Sequence, residues 1–167
     1  MRLRLLLPAL LLLPGLAGCG LHPIYARSEQ QKVMPALAAI AVGPDSGSRG
    51  AYFRNYMIDE LNPDGLTVPP TFDLDVTLRQ QDNSLAIQLD NSATRYNMIL
   101  GASFTLKRRS DGEVVYSSAT RRVVSYNVRS DPFATLVAEQ DAQRRAAHEV
   151  ARQIRTMLAL YFSEHPA

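Results

Sequence analysis

The sequence predicts an α+β domain, one four-stranded antiparallel or mixed sheet with two helices packed on one face. Two observations supply the sheet. Phe72, Leu74, Val76 and Leu78 alternate with Asp73, Asp75, Thr77 and Arg79, the period-two signature of a strand with one wet face. A longer alternation over Tyr96, Met98, Leu100, Ala102, Phe104 and Leu106 runs into Asp111-Gly112, and the chain returns through Glu113 to Val128 as a second arm of similar length. The third observation is the order of elements, strand, helix, strands, helix, whose natural solution is one sheet covered on one side.

Taken in order, residues from Gly20 to about Pro35 are polar and irregular and suit a short tether. The domain opens with Ala38-Ala39-Ile40-Ala41-Val42, a short buried-strand candidate closed by Gly43-Pro44. Ser46 to Leu61 reads as a helix, since Phe53, Met57 and Leu61 recur at four-residue spacing and Asn62-Pro63-Asp64-Gly65 stops it. After the strand at Phe72, the apolar parity flips to Leu85, Ile87 and Leu89, so a bulge or a turn intervenes near Gln81-Asp82-Asn83-Ser84. Asp111-Gly112 suits a tight two-residue hairpin turn. Asp131-Pro132 starts the last helix, because the aspartate can accept from free amides and proline lacks the donor its position would leave unpaired. That helix should reach about Phe162 with Phe133, Leu136, Val137, Ala147, Val150, Ile154, Leu158 and Tyr161 on its apolar face.

The N-terminus reads as a discarded export signal over residues 1–18: a basic start at Arg2 and Arg4, an apolar run from Leu5 to Leu13, then small residues. The run is broken by Pro8 and is far shorter than the roughly 20 residues of a spanning helix. Leu16-Ala17-Gly18-Cys19 resembles the lipobox of bacterial lipoproteins. The resemblance implies cleavage between Gly18 and Cys19, a diacylglycerol on the Cys19 thiol and an acyl chain such as palmitate on the new amino group. Several chains on one residue anchor stably, where one alone holds marginally. Glycine at position 20, in place of the aspartate that retains many lipoproteins in the inner membrane, points to the outer membrane. The division is thus signal peptide 1–18, lipidated tether 19–35 and domain 36–167.

Loss of Arg2 and Arg4 with the signal takes the 18 basic side chains down to parity with the 16 acidic ones. A near-neutral mature chain argues against bulk binding of nucleic acid. Cys19 is the only cysteine, so no disulfide can form within the chain once it carries lipid. The three histidines, His22, His148 and His165, are scattered, and no metal site, phosphate loop, nucleophile elbow or cofactor motif is present. Asp73 and Asp75 share a wet strand face, which reads as solubility rather than paired catalytic carboxylates. The expectation is a protein without enzyme activity or cofactor.

Two basic clusters stand out, Lys107-Arg108-Arg109 at the hairpin tip and Arg121-Arg122 on the returning arm. Their plain reading is a solvated tip and a guarded edge strand. The sharper one is recognition of a phosphorylated lipid, because the guanidinium fork fits phosphate. On the last helix, Glu139, Gln140 and Asp141 are candidates for a partner-contacting face.

Cys19-Gly20-Leu21-His22-Pro23-Ile24-Tyr25, Thr94-Arg95-Tyr96-Asn97-Met98, and Asp131-Pro132-Phe133-Ala134-Thr135-Leu136 leading into Ala138-Glu139-Gln140-Asp141-Ala142 together resemble the lipopolysaccharide-assembly lipoprotein family LptE in its alphaproteobacterial form. The resemblance implies two helices on a four-stranded sheet. It also implies a lipid-anchored protein on the periplasmic side of the outer membrane that plugs an LptD-type barrel, assists the barrel's assembly and helps insert lipopolysaccharide into the outer leaflet. Lys107, Arg108, Arg109, Arg121 and Arg122 are lipopolysaccharide-binding candidates on charge alone. The competing reading is a lipoprotein subunit of another envelope lipid-transport complex.

Overall fold

A computed structural model describes residues 27–43, 48–87, 93–128 and 130–166. The signal peptide, Cys19, the start of the tether through residue 26, and Leu89 lie outside the described residues. The elements are α1 (Arg27–Ala38), β1 (Ile40–Val42), α2 (Ser48–Leu61), β2 (Phe72–Ile87), β3 (Ala93–Arg108), β4 (Val114–Asn127) and α3 (Pro132–Glu164). The sheet order is β1-β2-β3-β4, with β1 parallel to β2 and the other pairs antiparallel. The predicted α+β class, with one mixed four-stranded sheet, is what forms.

The alternation read from the sequence sets the faces. Leu74, Met98, Leu100, Ala102, Phe104 and Leu106 are buried on the side of the helices. They form one core with Phe53, Met57 and Leu61 of α2 and with Ala146, Val150, Ile154 and Leu158 of α3. The parity flip in β2 is a bulge: register shifts fall between Ser84 and Ile87 and the strand continues, with no turn. Asn62 ends α2 as expected, its side-chain oxygen accepting from Leu66 N–H at 2.8 Å.

Three features differ from the sequence reading. The first is a third helix, α1, where an irregular tether was expected. Its polar composition and Pro35 hide it, yet Val33 and Leu37 are buried at four-residue spacing and α1 packs against α3. Only one hydrogen bond is lost to the proline, and the Pro35 carbonyl still accepts from Ala39 N–H at 3.0 Å. The predicted first strand shrinks accordingly to Ile40–Val42.

Second, the hairpin connection is longer than two residues. Arg108 N–H donates to Glu113 O at 2.9 Å and Gly112 N–H to Arg108 O at 2.8 Å, so residues 109–112 lie in the loop. Gly112 adopts φ +72°, the left-handed conformation that favours glycine.

Third, α3 outruns the core. Its buried residues begin at Ala142, while Phe133 is 72% exposed and Leu136 and Val137 are about half exposed. The apolar periodicity is real, but nothing in the described chain covers its first turns.

The start of α3 is built as the sequence implied. Asp131 is extended at φ −86° and ψ 115°, its carboxylate accepts from Phe133 N–H at 2.9 Å, and Pro132 occupies the first turn. Asp131→Ala should lower stability by about 1 kcal/mol, read as an earlier midpoint in urea unfolding with an unchanged slope.

Candidate functional site

The strand registers place the outward face of the sheet residue by residue. At one end lie the carboxylates of Asp73 and Asp75, and the hairpin tip folds over them. Arg109 holds Asp73 through Nε at 2.9 Å and Nη2 at 2.6 Å, and Lys107 reaches Asp75 at 2.8 Å. The backbone joins in, since Arg109 N–H donates to Thr71 O at 2.9 Å. Arg108 turns the other way and clasps Asp111 at 2.7 Å and Glu113 at 3.0 Å. Backbone donation from Glu113 and the Arg108 guanidinium hold the Asp111 carboxyl below its ordinary range. Each of the three cations at the tip therefore has a carboxylate partner. These pairs are exposed and individually weak, but they neutralise much of the charge that made the tip look like an anion site.

Arg121 and Arg122 part company, as consecutive strand residues must. Arg122 faces the helices, where its guanidinium donates to the Gln153 side chain on α3. Arg121 points outward. In register it lies beside Gly101, and Gly101 lies beside Arg79, so one row across three strands reads Arg79, Gly101, Arg121. Neither arginine of this row has a carboxylate partner among the described residues. Glycine leaves the space between them open, and they border a groove of about 580 Å³ with Gln81 and Ile99. Arg79 was read in the sequence only as one polar residue of an alternating strand. Its place opposite a glycine, across from a second arginine, appears only when the register is known.

The α3 candidates are partly used within the helix. Asp141 pairs with Arg145 at 2.8 Å and Glu139 accepts from Gln143 at 3.2 Å, while Gln140 is exposed. Beside them a groove of about 590 Å³ separates the end of β4 from the first turns of α3, lined by Tyr126, Phe133, Val137 and their neighbours. Tyr126 stacks on Tyr96 with ring centroids 5.7 Å apart. Partial burial raises its hydroxyl pKa above the ordinary value, and the carboxylates of Asp82 and Glu139 act in the same direction.

His148 meets Glu60 at 3.3 Å and packs against the Tyr56 ring, an α2–α3 contact away from the sheet. Among the described residues no group of three potential metal ligands occurs, and no helix is long and apolar enough to cross a membrane. The arrangement offers charge and shape for binding.

Residues 37–158 match the family model LptE, described as lipopolysaccharide-assembly. The chain belongs to the LptE family. That family is a non-enzymatic lipopolysaccharide-assembly family, and membership implies partners in the lipopolysaccharide transport machinery. Among solved structures, the chain resembles a candidate lipoprotein of Caulobacter crescentus at 29% identity and a TM-score of 0.67, over 81% of this chain and 98% of that one. A minor lipoprotein from Acinetobacter baumannii shares the fold at 14% identity and a TM-score of 0.53, covering 73% of this chain and 89% of its own. Lipoprotein B from Nitrosomonas europaea does so at 12% identity and a TM-score of 0.50, covering 76% and 86%. No curated protein sequence matches the chain.

Proposed function

We propose that this LptE-family chain is anchored through Cys19 to the periplasmic side of the outer membrane. There it sits as the plug of an LptD-type barrel, assists the barrel's assembly and helps pass lipopolysaccharide to the outer leaflet. The observation that carries this reading is the family match across residues 37–158. The lipobox-like Leu16-Ala17-Gly18-Cys19 and the lipoprotein descriptions of the similar structures agree with it. The surface suits the role as well, because the lumen of such a barrel is polar and the outward sheet face is lined by Asp73, Asp75, Thr77, Arg79, Ser103, Thr105 and Ser117.

For lipopolysaccharide contact, Lys107, Arg108 and Arg109 come ion-paired and Arg122 is engaged with α3, so Arg121, joined by Arg79, is the stronger phosphate candidate. Two guanidinium groups that flank a glycine and have no carboxylate partner among the described residues can take a phosphate between them without first releasing one. Binding of purified lipopolysaccharide to the full-length protein tests this. The double variant Arg79→Glu and Arg121→Glu should weaken binding about tenfold or more, with the circular dichroism spectrum unchanged. Charge reversal of Lys107, Arg108 and Arg109 should weaken it less. Gly101→Asp, whose Cβ would meet Arg79 O at an ordinary 3.7 Å, sets a carboxylate between the two arginines and should mimic the double variant. Unchanged affinity in the double variant would remove this face from the lipopolysaccharide path.

A further inference from the structure

Strand β4 is an edge of the sheet, and no described backbone group between Val114 and Asn127 makes a backbone hydrogen bond outside its ladder with β3. Over 14 residues, about half of the amides and carbonyls of such a strand face away from its neighbour. Proteins usually blunt edges of this length with proline, bulges or inward charges. Here there is no proline, and the one register irregularity, which leaves Val115 unpaired between Val114 and Tyr116, is confined to the start of β4. The one inward charge, Arg122, reaches Gln153 on α3 with one terminal nitrogen and donates to Arg121 O at 3.0 Å with the other. Apart from the Arg121 carbonyl, which an added strand would have to take over from Arg122, the described backbone of the edge is open.

We propose that β4 receives an extended segment of a partner protein as a fifth strand, with a carboxylate on that segment lying beside Arg121. Three observations select this occupant. The row Arg79, Gly101, Arg121 ends at the edge, and the next position in that row belongs to whatever strand pairs with β4. At the other end of the same face the sheet satisfies its cations across strands with acids, as in Lys107–Asp75 and Arg109–Asp73, whereas Arg121 has no such partner among the described residues.

A second copy of the chain is a poor occupant. Pairing β4 with its own copy around a two-fold axis keeps outward residues with outward residues. Either register that overlaps the whole strand then sets Arg121 directly opposite or diagonal to its mate, an unfavourable like-charge contact. No acidic residue occurs in β4 to offset it.

Finally, the groove at the strand's end is lined by Ser125, Tyr126 and Asn127, consecutive residues of both parities, as expected of a groove that follows the edge. Phe133 and Val137 form its far wall, so an apolar side chain of the added strand has a seat there.

The test uses the full-length protein in detergent micelles with two synthetic probes, seven-residue peptides of alternating threonine and valine with glutamate or lysine at the centre. The glutamate peptide should bind at least tenfold more tightly than the lysine peptide and slow amide hydrogen exchange along β4. Arg121→Glu should reverse the preference, with the spectrum of the folded protein retained because the side chain is exposed. Equal affinity for the two peptides, no binding of either, protection away from β4, or self-association of the protein through β4 would each overturn the proposal. Arg121 is common to both readings, whereas Arg79 lies two strands inward and is not covered by an added strand. Arg79→Glu alone should weaken lipopolysaccharide binding and leave the peptide preference unchanged, so the two assays can fail separately.

Discussion

Replacing Cys19 with alanine should abolish lipidation and block processing at this site, leaving residues 36–162 folded. The expected effect is all or none, because Cys19 carries the only thiol in the chain and the thioether to diacylglycerol can form nowhere else. Each methylene buried in the bilayer contributes about 0.8 kcal/mol, so loss of the acyl chains removes the anchoring free energy proposed for the lipid. Mass spectrometry of the purified protein should show an unmodified chain that retains residues 1–18, and its far-ultraviolet circular dichroism should match that of the mature domain. A lipidated Cys19→Ala product would refute the anchor assignment.

Phe104→Ala is the most damaging single core change that we expect. The ring is 2% exposed in the C-terminal half of β3, edge-on to Tyr116 with centroids 5.8 Å apart, on the face covered by α3. Truncation there removes transfer free energy and leaves a cavity, a loss of about 3–5 kcal/mol, against a total stability of about 5–15 kcal/mol for a domain of this kind. Urea unfolding should show the midpoint falling by a large fraction of its value. A shift below about 1 kcal/mol would mean that β3 is not the packed centre of the molecule.

The sheet is legible in the sequence because one of its faces is buried: alternation at Phe72–Leu78 and Tyr96–Leu106 reports directly on which side chains leave water. Helix α1 is not legible, since its sequence is polar over its first turns and, among the residues whose side chains are described, the buried ones are Val33, Ala36 and Leu37 around a proline. The first turns of α3 show the opposite difficulty. Periodicity identifies an apolar stripe there, but cannot say whether the chain itself or another molecule covers it, and Phe133 remains exposed.

The site follows the same division. Charge clustering drew attention to Lys107, Arg108 and Arg109, yet the acid that neutralises Arg109 is Asp73, 36 residues away, and only the folded hairpin brings them together. Arg79 carries no local signal at all. It becomes a candidate through the strand register, which sets it across Gly101 from Arg121.

The role proposed for this protein rests on a physical association, and copurification tests that most directly. The full-length, lipidated protein should be isolated from its own outer membrane under mild detergent, with the copurifying barrels identified by mass spectrometry. An LptD-type barrel should be recovered in near-stoichiometric amount and retained after a high-salt wash. Recovery of the protein free of such a barrel, or with the components of a different lipid-transport complex in its place, would contradict it.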